Sequence, residues 1–130
     1  MARASTQVVE RVWTLVGSRR GRIWCARRMR PRSGEPMLVA FDGPWALKRE
    51  ERRHDVVGFL HTHPGMPARP SCRDLRTMRA WCGAFGKPLL CLIAGCDGLH
   101  AYRFDDYESA AVELKLVEKF SRGLIVAMDE

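Results

Sequence analysis

His61-Thr62-His63-Pro64, a linker from Pro64 to Pro70, and then Ser71-Cys72-Arg73-Asp74 form the stretch on which the reading of this chain turns. Ahead of it, Asp55 to His63 is rich in β-favouring Val56, Val57, Phe59 and Leu60 and is stopped by Pro64, so it reads as a strand ending in two histidines. Behind it, Leu75, Met78, Trp81, Cys82 and Phe85 recur at steps of three and four residues, which predicts a helix from Ser71 to near Gly86. Side chains two apart on a strand point to one face, so His61 and His63 face the same way. An aspartate one turn into the following helix closes a third side. Two imidazoles and one carboxylate, with a fourth position left for water, are the ligand count of a catalytic zinc and not of a structural one.

Each part has an ordinary explanation when taken alone. Ser71-x-x-Asp74 is a helix start, with Ser71 as N-cap and Asp74 favouring the helix dipole. A single histidine is usually a hydrogen-bonded or surface residue, and Pro64 is merely a strand stop. The combination carries the chemistry.

Working outward, Gln7 to Val16 reads as a strand ending at Gly17-Ser18, Arg22 to Arg28 as a second after the Gly21 turn, and Met37 to Phe41 as a third. Pro44 to Arg53 offers only Trp45, Ala46 and Leu47 for burial, which supports a short helix or turn. Leu89 to Ala94 is a continuous apolar run suited to a buried strand, joined across Gly95-Cys96-Asp97-Gly98 to a strand through Phe104. Ala110 to Val117 alternates apolar and charged residues and reads as strand. A mainly β chain with one long helix implies an α+β layer fold.

The chain has 130 residues, a formal net charge of +7 and 46% hydrophobic residues, enough for one compact domain over residues 1–130 with a core of its own. The run Pro88 to Ala94 is far short of the roughly 18 apolar residues of a membrane span, and Met1 to Thr6 has no apolar secretion core, so a soluble cytoplasmic protein is expected. The five cysteines include no C-x-x-C pair, which excludes a zinc finger made of cysteines and argues for reduced thiols. The basic excess lies in the N-terminal half, in Arg19, Arg20, Arg22, Arg27, Arg28, Arg30 and Arg32. Few aromatics accompany these arginines, so a solvated loop or a surface for an acidic protein suits them better than nucleic acid.

His61, His63, Pro64, Ser71 and Asp74 match H-x-H-P and S-x-x-D at the spacing of the JAMM, or MPN-plus, zinc metalloproteases, and the sequence closely resembles that family in its small prokaryotic form. The resemblance implies an MPN/JAMM-like, cytidine-deaminase-like α+β fold, a mixed sheet flanked by helices. It implies His61, His63 and Asp74 as Zn2+ ligands and Ser71 as the hydrogen-bond donor to the oxyanion. The family also carries a glutamate on an early strand, in a stretch resembling E-x-C-G-x-L-x-G. Here Glu10-Arg11-Val12-Trp13-Thr14-Leu15-Val16-Gly17 keeps the glutamate, leucine and final glycine in register, with Val12 and Trp13 as departures. Glu10 is thereby the candidate catalytic base, and Glu35, in a loop between Gly34 and Pro36, its rival. Cys72 reads as a helix-start residue, and His54 and His100 lack partner spacing.

By the same resemblance the expected activity is hydrolysis of the isopeptide or peptide bond after the C-terminus of a ubiquitin-like protein. The setting would be a bacterial conjugation or antiviral defence system with E1- and E2-like proteins. The partner's tail would lie extended along a sheet edge, its acidic face toward the arginines. Alternatives are processing of a sulfur-carrier ubiquitin-like protein, a RadC-like DNA-associated protein, and a metal-free scaffold of the MPN type. The RadC-like reading is echoed by Pro70-Ser71 but lacks the helical N-terminal region of that group, and the scaffold reading is disfavoured because no ligand is lost.

Overall fold

The computed structural model describes residues 10–29, 43–119 and 124–129. Within them the order is β1 (Val12–Arg20), β2 (Ile23–Arg28), α1 (Gly43–Arg53), β3 (Val56–Thr62), α2 (Cys72–Phe85), β4 (Leu89–Gly95), β5 (Gly98–Phe104), β6 (Val112–Lys119) and β7 (Leu124–Met128). The strands join in the order β1-β2-β7-β6-β5-β4-β3, and β3 pairs with β1 to close a barrel. All neighbours are antiparallel except β3 and β4, whose parallel register sets His61 opposite Ile93. The sheet is therefore mixed, as expected, but it is closed, and every described strand has a neighbour on both sides.

Closure follows from how β1 divides its pairing. Its first part, Val12 to Val16, runs against β3, and Leu15 to Arg20 runs against β2. The register slips between Leu15 and Val16, passing over Val57 on β3, and such a bulge bends a strand and deepens its twist. The two corners are too tight for side chains: a Cβ on Gly17 would collide with the Cys25 carbonyl, and one on Gly58 with the Leu90 backbone. β1 thus continues through Gly17-Ser18, where the sequence predicted its end. The chain turns instead at Gly21, which has φ +59°.

Two apolar layers result. Leu15, Trp24, Val57, Leu92 and Ile125 belong to a set drawn from strands alone, which fills the barrel. Phe59, Cys91, Ile93 and Phe104 belong to the outer layer, which Ala46 of α1 and Met78 and Cys82 of α2 cover. α1 is a helix of 11 residues over nearly the expected span, to which Trp45 adds packing on that layer, and Arg49 pairs with Asp55 at 2.7 Å beyond the helix end. The five cysteines are free thiols; burial pushes Cys82 up to about 11 and Cys91 further, which leaves both inert. Cys72 and Cys96 are exposed. No described helix is long and apolar enough to cross a membrane. The expected strand at Met37 to Phe41, together with Glu35, Arg30 and Arg32, lies outside the described residues.

β7 has no counterpart in the sequence reading, and the residue after it closes one end of the barrel. The buried Asp129 carboxylate accepts from Arg19 Nη2 at 2.8 Å and from Trp24 Nε1 at 3.1 Å, with Arg103 Nη1 at 3.3 Å. The Arg22 guanidinium donates to its carbonyl at 3.1 Å. Removing the carboxylate leaves the buried Trp24 Nε1 without a partner, while Arg19 and Arg22 can turn to water. Asp129→Ala is expected to lower unfolding free energy by about 2–4 kcal/mol, read as a lower urea midpoint with unchanged slope.

Candidate metal centre

His61 and Phe59 share the face of β3 turned toward α2, where the Phe59 ring stands 5.0 Å from Trp81. The strand ends at Thr62, and His63 follows in extended chain whose amide donates to the Ala94 carbonyl of β4 at 2.8 Å. The two imidazoles stack at 4.9 Å with 14° between their planes. Asp74 enters from α2, in whose first turn a capping box forms. The Ser71 hydroxyl oxygen accepts from the Asp74 amide, and the Ser71 amide donates to Asp74 Oδ2 at 2.8 Å. The same Oδ2 lies 3.0 Å from His63 Nε2 and 3.5 Å from His61 Nε2. All three side chains are buried.

The linker from Pro64 to Pro70 is tied down and fixes the second histidine. The Pro67 carbonyl sits 3.1 Å from His63 Nδ1, a hydrogen bond that puts the proton there and aims the Nε2 lone pair at the centre. Tyr102 donates to the Ala68 carbonyl at 2.6 Å, and the Ala68 amide donates to Asp97 Oδ1 at 2.8 Å. Nothing in the sequence pointed to Pro67, Tyr102 or Asp97, because a backbone carbonyl and contacts over about 30 residues leave no local pattern.

The donor set fits a divalent cation. His61 Nε2 is buried without a hydrogen-bond partner of its own, beside a carboxylate and a second imidazole nitrogen, and electron pairs brought this close need a positive charge among them, a proton on an imidazole or a bound cation. One ligand atom from each residue falls within 4.8 Å of the others. Burial works against the Asp74 carboxylate, but the His61 imidazole and the Ser71 amide outweigh it and hold that carboxyl well below the usual range. These contacts favour the anionic form that a cation would bind.

Glu10 reaches the edge of this group. β1 pairs Val12 with His61, the Thr62 amide donates to the Arg11 carbonyl, and the Arg11 amide donates to Thr62 Oγ1, so the backbone before β1 is pinned beside the histidines. Glu10 Oε2 stands 4.0 Å from His63 Nε2 with the side chain 45% exposed. The Ser71 hydroxyl spends an acceptor lone pair on the helix start and keeps its proton to donate. His100 lies apart from the centre, with Glu113 at 3.2 Å.

A family model for prokaryotic homologs of the JAB domain matches residues 2–109, and the chain belongs to that family. The resemblance drawn from His61, His63, Pro64, Ser71 and Asp74 therefore holds. No curated protein matches the chain.

Two outcomes follow for metal binding. Dialysed wild-type protein loaded with zinc should retain about one ion per chain by elemental mass spectrometry, and His63→Ala and Asp74→Asn should retain none. Tyr102→Phe, which frees the linker behind Pro67, should weaken zinc affinity by roughly 10-fold in a chelator competition.

Proposed function

We propose that this protein is a zinc-dependent peptidase or isopeptidase that cleaves the bond after the C-terminus of a ubiquitin-like protein, by precursor processing or by deconjugation. The observation that carries the reading is the buried His61, His63 and Asp74 group with a carboxylate, Glu10, at its open side. Family membership adds support, since JAB-like domains often include metal-dependent isopeptidases.

Zinc held by His61, His63 and Asp74 would supply a Lewis acid that polarises the scissile carbonyl and makes hydroxide available near neutral pH. The chain's own residues do the rest. Glu10, exposed on one side and facing the centre on the other, takes the proton of the attacking water at Oε2 and returns it to the departing amine. Ser71 donates its free hydroxyl proton to the oxygen on which negative charge develops. Asp74, ionised throughout, carries no proton in the reaction, and the Pro67 carbonyl keeps His63 from turning away. An extended tail reaching this centre passes the start of β1. Nearby on β1–β2, Arg28 stacks over Trp13 at 4.8 Å and Arg27 is exposed, a basic surface for an acidic partner.

The direct test is cleavage of a ubiquitin-like protein fused through its C-terminus to a reporter. Zinc-loaded wild type should cut at the junction, and failure of the loaded protein on every such fusion tested would sink the reading. Glu10→Gln should keep its zinc and lose about 10²- to 10⁴-fold in kcat. Ser71→Ala should lose roughly 10²- to 10³-fold in kcat and, separately, about 1 kcal/mol of stability from the lost cap. Arg27→Glu with Arg28→Glu should raise KM and leave kcat nearly unchanged.

A further inference from the structure

Next to the candidate metal centre a cavity of about 170 Å³ opens between the start of β1 and α2. His61 and Asp74 form the part of its wall that it shares with the centre, so whatever fills it lies against the reacting bond. The remaining wall is apolar in Val12 from β1, Phe59 from β3, and Met78 and Trp81 from α2, with Glu10 on the side toward the centre. Phe59 and Met78 are almost wholly buried, and Trp81 is braced against Phe59 and against Phe85 at 5.2 Å, so the shape is held from behind. Arg73 and Thr77, exposed on successive turns of α2, stand at the mouth.

The capacity decides what kind of group enters. An apolar cavity of about 150 Å³ takes a benzene-sized ring, and a single water needs a share of only about 30 Å³. This cavity therefore suits one large side chain. Its lining offers nothing that would compensate an amide or a carboxylate at depth, and unpaired polar groups are costly to bury there. A lysine ammonium carried past Glu10 to Phe59 and Met78 would be buried among apolar groups without a partner.

Resting on the proposed function, we infer that this cavity is a specificity subsite for a large apolar side chain, such as Leu, Met or Phe, on the leaving-group side of the scissile bond. Glu10, which in that reading returns the proton to the departing amine, lines the same cavity, and this places the residue after the bond there. The substrate class is thus a ubiquitin-like protein carrying a linear extension that begins with an apolar residue, and Val12, Thr77, Met78 and Trp81 set that preference.

Binding to the metal-free protein tests this apart from catalysis. Fluorescein-labelled peptides with a glycine-ended tail followed by Phe, Leu, Gly or Lys are titrated with metal-free wild type and read by anisotropy. The Phe and Leu peptides should bind at least about tenfold more tightly than the Gly and Lys peptides. Thr77→Trp, which narrows the mouth, should bring the series within about twofold. Trp81→Ala, which removes a wall, should weaken the Phe and Leu peptides most. Equal binding across the wild-type series, or none measurable at millimolar peptide, overturns the inference. A second series, varied before the bond and fixed at Gly after it, overturns the assignment to the leaving-group side if the apolar preference appears there. Discrimination in binding without cleavage by zinc-loaded protein would sink the catalytic reading and leave the subsite standing; cleavage without discrimination would do the reverse.

Discussion

The parallel pairing of β3 with β4 obliges the chain between them to run back along the sheet, and α2 makes that return. The end of β3 and the start of α2 are consequently at the same end of the barrel. Every feature of the site depends on this. His61 and His63 come at the end of the strand, Asp74 comes in the first turn of the helix, and only the Pro64 to Pro70 linker separates them. Had β3 and β4 been a hairpin, the histidines would face a turn and no helix start could deliver a carboxylate to them.

Asp74 serves two structures at once. Its Oδ2 completes the capping box of α2 through the Ser71 amide and also stands within 3.5 Å of both imidazoles. The helix start favours a negative charge there, and the imidazoles favour it too, so the carboxylate stays ionised in spite of burial. Sharing one oxygen between cap and centre locks the position of the centre to the start of the helix, which is the preorganisation a catalytic metal site needs. The linker contributes in the same way, through the Pro67 carbonyl on His63 and the grip of Tyr102 and Asp97 on Ala68.

The barrel gives this end its rigidity. Gly58 lets β3 lie hard against β4 three residues before His61, the extra residue Val57 bulges β3 beside Leu15 and Val16, and Val12 of β1 pairs with His61. One end of the barrel is closed by an ionic network around Asp129. Beside His61 and Asp74 the outer layer leaves a largely apolar recess.

The sequence by itself determined the elements whose patterns are local. The three- and four-residue steps of Leu75, Met78, Trp81, Cys82 and Phe85 gave α2, the apolar run from Leu89 gave β4, and the fixed spacing of His61, His63, Ser71 and Asp74 pointed to the family and to the group that could hold a metal ion. Only the tertiary structure decided what rests on pairing between distant residues. The pairing of β1 with β3 that closes the sheet includes a register slip at Val57, which no composition reveals, and β7 and the Asp129 network depend on strands that meet after about a hundred intervening residues. The proximity of Glu10 to His63, the Pro67 carbonyl behind it, and the recess between Val12 and Trp81 are likewise products of how β1, β3 and α2 pack. A short-range pattern records which faces are apolar and which residues cap a helix, whereas neighbours across a barrel are set by hydrogen-bond register, which any one segment leaves open.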